Sequence, residues 1–139
     1  MLDLSGNKLC QLPSNFSCLT KLKLLFLTGN QFETIPEVIA ACPHLEMISF
    51  KSNQLKTIAT GCLPLQTRWL ILTDNQISSL PEDFGAMYRL QKLALAGNKL
   101  SSLPASMANC AQLELARLSA NEFTSLPNWL FQMPKLAWL

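Results

Sequence analysis

The sequence predicts an α/β solenoid: a curved superhelix with a concave parallel β-sheet of short strands and short helical or 3₁₀ turns on the convex side. Three observations carry that prediction. Asparagines recur at Asn7, Asn30, Asn53, Asn75, Asn98 and Asn121, at spacings of 23, 23, 22, 23 and 23 residues. Leucine-like residues stand five and three positions before each of them, and further apolar residues two and five positions after. A proline follows the last of these in five units of six. A fixed period of this size marks stacked repeats, in which each unit buries its apolar face only against its neighbours.

The strand opens each unit, in the pairs Leu2/Leu4, Leu25/Leu27, Ile48/Phe50, Leu70/Leu72, Leu93/Leu95 and Ala116/Leu118. Side chains on a strand alternate with period two, so each pair points one way and the residue between them the other. One such strand cannot bury its leucines alone. Neighbouring units therefore stack into a parallel sheet with a continuous core behind it. The Asn ends the strand in a tight turn, where its short amide can bond backbone groups. Leu9, Phe32, Leu55, Ile77, Leu100 and Phe123 come next, then Leu12, Ile35, Ile58, Leu80, Leu103 and Leu126. The prolines are Pro13, Pro36, Pro81, Pro104 and Pro127, with Ala59 in the third unit. Beyond them the spacing of apolar and polar residues suits a single short turn, with Phe16, Ile39, Cys62, Phe84, Met107 and Leu130 directed inward.

The unit LxxLxLxxNxLxxLPxxΦxxΦxx, with Φ apolar, resembles the leucine-rich-repeat family in its 23-residue LP form, over residues 1–139. The chain divides into one domain of repeats 1–21 (partial), 22–44, 45–66, 67–89, 90–112, 113–135 and 136–139 (partial). The resemblance implies a right-handed superhelix. It implies that Asn7, Asn30, Asn53, Asn75, Asn98 and Asn121 form a structural ladder, and that the concave side receives the partner.

Departures from the pattern cluster. The third unit is one residue short, Ala59 replaces its proline, and Thr67 opens the next unit in place of leucine. All three fall within residues 59–67, where a more extended convex path and altered curvature are expected, or a functional hinge. Ala116 thins the core of the sixth unit, a deficit worth about 2 kcal/mol or more if unfilled. The chain starts at the third position of a repeat and stops after four residues of another, without polar caps. It is therefore expected to be part of a longer array or a truncated gene product.

The residues flanking the strand leucines face the concave side. Met1, Leu24, Met47, Trp69, Lys92, Leu115 and Trp138 form one column, and Asp3, Phe26, Ser49, Ile71, Ala94 and Arg117 another. Adjacent strands lie about 4.8 Å apart, so Leu24, Phe26, Met47, Trp69 and Ile71 cluster over three strands. Exposed apolar groups at this density mark interaction sites, with aromatic and methionine side chains as anchors. Lys51, Arg68, Lys92 and Arg117 lead a slightly positive rim that also holds Lys23, Glu46, Asp74 and Glu114. The expected partner is a protein presenting an apolar segment or helix with some acidic residues. Same-face packing that merely strengthens the sheet is the alternative.

Composition and motif searches narrow the function. A net charge of +2 is too small to imply nucleic acid or a membrane surface, and no apolar run approaches a membrane span. His44 is the single histidine, and no Cys-x-x-Cys pair accompanies it. No metal and no cofactor are therefore expected. Asp3, Glu46, Asp74 and Glu114 belong to different strands, and no phosphate loop or kinase signature occurs. No enzyme activity and no small-molecule substrate are expected. Five scattered cysteines without a signal peptide read as free thiols in a reducing compartment, so the expected location is cytoplasmic.

Intracellular LP-type relatives include Ras-binding scaffold repeats and bacterial leucine-rich-repeat protein kinases. The stretches Arg68–Asn75, Leu90–Asn98 and Leu136–Leu139 look most like the latter. That resemblance implies an alternative to the free module: the recognition segment of a longer signalling serine/threonine kinase whose catalytic domain is absent from this chain. A decaying fragment is a third reading.

Overall fold

A computed structural model describes all residues, 1–139. Six short strands form one parallel sheet in sequence order: β1 (Leu2–Asp3), β2 (Leu24–Phe26), β3 (Met47–Ser49), β4 (Trp69–Ile71), β5 (Lys92–Ala94) and β6 (Leu115–Arg117). The register repeats the sequence period. Leu24 pairs with Met47, Met47 with Trp69, Trp69 with Lys92 and Lys92 with Leu115. The fold is a leucine-rich-repeat solenoid.

Each strand turns its middle residue into the core. Leu25, Ile48, Leu70 and Leu93 are fully buried, Ala116 all but fully, and Leu27, Phe50, Leu72 and Leu95 lie sealed behind them. One continuous core of 32 residues runs through the stack. Phe32 and Phe50 from adjacent coils meet edge to face at 5.3 Å, a favoured aromatic geometry.

The asparagines form the ladder. Asn53 donates from Nδ2 to the carbonyls of Leu27 and Phe50, while its Oδ1 accepts from the Phe32 amide. Asn30, Asn75, Asn98 and Asn121 repeat that pattern one coil at a time. Asn7 bonds only within its own turn, to the carbonyls of Leu4 and Ser5. The residue before each asparagine has positive φ: Gly6, Gly29 and Gly97, but also Ser52, Asp74 and Ala120.

On the convex side, 3₁₀ turns span Ser14–Cys18, Glu37–Ala41, Glu82–Ala86, Ala105–Asn109 and Asn128–Gln132. Each follows its proline, which occupies the N-cap with extended backbone. Pro is suited there because its ring fixes φ near the helical value and its missing N–H is not needed. The third unit, with Ala59, has no such turn. Its chain takes an irregular path, held by the Gly61 amide donating to Asp83 Oδ2 at 2.7 Å. Thr67, fully buried at a leucine position, satisfies its hydroxyl by donating to the Pro64 carbonyl at 2.7 Å. No helix is long and apolar enough to cross a membrane.

Candidate partner-binding face

Three-residue strands position the concave side chains. Because the middle residue of each points inward, the two flanking it must point out, and the parallel register lines them up in rows. Leu24, Met47 and Trp69 form one row and Phe26, Ser49 and Ile71 the next. Trp69 is 37% exposed, and Leu24, Phe26, Met47 and Ile71 are half-buried. A hollow of about 280 Å³ opens here, lined by Leu24, Glu46, Met47, Arg68 and Trp69. Ser49 does not face the partner side freely. It is buried between Phe26 and Ile71, its hydroxyl paired with that of Thr28 at 3.0 Å.

Charges frame the hollow unevenly. Arg68 stands 3.8 Å from Glu46 and donates to Gln91 Oε1 at 3.1 Å, so its guanidinium is already engaged. That contact is the single ion pair in the chain, and exposed pairs of this kind contribute little to stability. Lys92 lays its ammonium 4.0 Å above the Trp69 ring, a cation–π contact that ties the face of the indole to a side chain of the next strand. Lys51 and Arg117 are exposed and have no carboxylate within ion-pair distance. The structure thus brings Leu24, Met47, Trp69 and Arg68 around one hollow, with Phe26, Ile71 and Lys92 beside it. Lys51, in the turn after β3, and Arg117, on β6, stand apart from it.

A second, polar hollow of about 380 Å³ was not foreseen from the sequence. It is lined by Arg68, Tyr88, Arg89, Gln91 and Gln112 at the strand entrances. Its signal lay in the repeat alignment: Arg89 and Gln112 share the position just before the leading apolar residue, and Arg68 and Gln91 the position just after it.

No three His, Cys, Asp or Glu residues come together as metal ligands would. His44 Nδ1 lies 2.7 Å from the Thr20 carbonyl, at the surface. Cys42, Cys62 and Cys110 are buried, Cys10 and Cys18 exposed, and all five are unpaired. Burial pushes the Cys110 thiol up to about 11; burial, with the nearby Asp83 carboxylate adding to it, does the same for Cys62. Neither is poised as a nucleophile, since only the thiolate attacks.

Family profiles described as Leucine rich repeat match residues 66–123 and 1–19, together more than half of the chain. No curated protein matches the sequence. Among solved structures, the chain is similar to the plant peptide hormone receptor RGFR1 in complex with RGF2. The TM-score is 0.82 at 32% identity, over 97% of this chain and 23% of the receptor chain. The chain therefore spans about a quarter of that receptor's length. With the ladder, the register and the profile matches in agreement, the chain belongs to the leucine-rich-repeat family.

Proposed function

We propose that the chain is a non-catalytic protein-interaction module that grips a protein or peptide on its concave face. One observation carries the reading. Five large apolar side chains stand in two rows over three strands on the side that faces away from the core: Leu24, Met47 and Trp69 line a hollow, and Phe26 and Ile71 stand in the row beside it. The core is complete without them, so same-face packing leaves the exposed indole unexplained. Supporting this, the similar plant receptor is a peptide hormone receptor solved in complex with RGF2. Buried, singly placed thiols support a reducing, cytoplasmic setting for the module.

The test is a double substitution, Phe26→Ser with Trp69→Ser. Both sites are outside the core, so the circular dichroism spectrum should be unchanged while partner capture falls at least tenfold. Capture at full strength by the folded variant discards this face. A second reading, the recognition segment of a longer signalling kinase, is supported by the resemblance at Arg68–Asn75 and Leu90–Asn98. The coding sequence past Leu139 separates the two.

A further inference from the structure

The concave face is not uniform from end to end, and that asymmetry specifies the occupant. Over β2 to β4 it is apolar, with Leu24 and Trp69 standing two strands, about 9.6 Å, apart on either side of Met47. That gap admits one bulky side chain. Over β5 and β6 the outward residues are Lys92, Ala94, Leu115 and Arg117. Ala94 is the one small side chain among them; neither cation has a carboxylate partner, Arg117 being free of the contact that lays Lys92 over the Trp69 ring. At the opposite end, β1 presents the Asp3 carboxylate, held below its usual range by the Ser5 hydroxyl and amide.

Resting on the concave-face reading above, we infer that this face takes an extended peptide lying across the strands, with a bulky apolar side chain seated over Met47 and a side-chain carboxylate four residues away above Ala94, where it meets Arg117. The spacing follows from two periods. From β3 to midway between β5 and β6 is two and a half strand separations, about 12 Å. An extended chain rises about 3.3 Å per residue, so four residues span about 13 Å. Residues i, i+2 and i+4 share one face of such a chain, so the anchor and the acid both point at the sheet. The residue between them meets Ile71 and Ala94, where only a small or medium side chain fits. A helix would need about eight residues for the same distance. A carboxylate above Ala94 meets the planar Arg117 guanidinium, able to bind it through two parallel bonds. The reverse placement would set it against Asp3.

A phage-displayed library of random nine-residue peptides, selected on the immobilised full chain, tests this. The selected peptides are then synthesised with both termini blocked, so that only side chains supply negative charge. The expected result is enrichment of a bulky apolar residue and an Asp or Glu four apart, in either order. Glu→Gln in such a peptide should weaken binding about tenfold to the native chain and less than twofold to the Arg117→Gln variant. Peptides that lose binding to the Phe26→Ser, Trp69→Ser chain but show no acidic enrichment, or a spacing of seven or eight, overturn this inference and leave the concave reading standing. Peptides that bind that variant undiminished, or a library that yields no binder, overturn both.

Discussion

At Ala120 an L-residue with a Cβ holds φ 53°, in the left-handed region that glycine occupies at the same place in three other coils. That conformation costs an alanine about 1–2 kcal/mol. Replacing it with glycine relieves the strain but adds freedom to the unfolded chain, which returns about 0.4–1 kcal/mol. Ala120→Gly is therefore expected to stabilise the protein by about 0.5–1 kcal/mol, read as a higher urea midpoint. Asp74 is a different case at the equivalent position, since Asp tolerates this region through local hydrogen bonding. The asparagines themselves are unequal. Asn75 satisfies the Leu55 amide and the Phe50 and Leu72 carbonyls inside the core, whereas Asn7 bonds only exposed carbonyls of its own turn. Leaving buried groups unpaired costs about 1–3 kcal/mol each. In Asn75→Ala the Phe50 and Leu72 carbonyls keep the Asn53 and Asn98 amides, and the Leu55 amide alone is left unpaired. The loss should thus be about 1–3 kcal/mol, with Asn7→Ala below about 1. Equal midpoints for the two variants would remove the ladder as the reason for the asparagine period.

Among the elements, the convex turns vary most. The turns Glu82–Ala86 and Ala105–Asn109 pack against each other more closely than any other pair. The contact depends on Gly85, where an added Cβ would overlap the Ser106 carbonyl and side chain. The obstacle is backbone and cannot swing aside, so Gly85→Ala must separate the two turns. Overpacking of this kind costs about 1–3 kcal/mol. A thermal melt should register it, while alanine substitution at exposed Ser102 should leave the melt unchanged. The sequence made the turns legible because proline and the inward apolar residue recur at fixed places. It also flagged residues 59–67, where the proline is missing, and the 3₁₀ turn is missing there too. What it did not reveal was the Gly85 contact. A glycine within one turn carries no mark of which neighbouring coil will press on it.

For the whole molecule, the fold was legible because one short pattern, repeated, fixes strand, turn and stacking together. The candidate face was legible only as columns of residue types. Its pairings, such as Lys92 over Trp69 and Arg68 between Glu46 and Gln91, depend on side-chain reach across strands, which the repeat period does not encode. The same division governs the cysteines. Their inward positions followed from the pattern, but their protonation follows from what surrounds them. Cys62 and Cys110 are raised in the folded chain from about 9.0 to about 11. Between those values the folded protein keeps protons that the unfolded chain has already released. Stability contributed by the buried thiols is thus fully present below pH 9 and is lost as pH rises through about 11. The urea midpoint should hold level up to about pH 8.5 and then decline across that window. Because both thiols lie in the one core that runs through the stack, ionising either strains neighbouring coils as well as its own. A Cys62→Ala, Cys110→Ala variant should start from a lower midpoint, having lost two buried side chains, yet decline less steeply above pH 9. An identical slope in the variant would place the alkaline sensitivity elsewhere in the molecule.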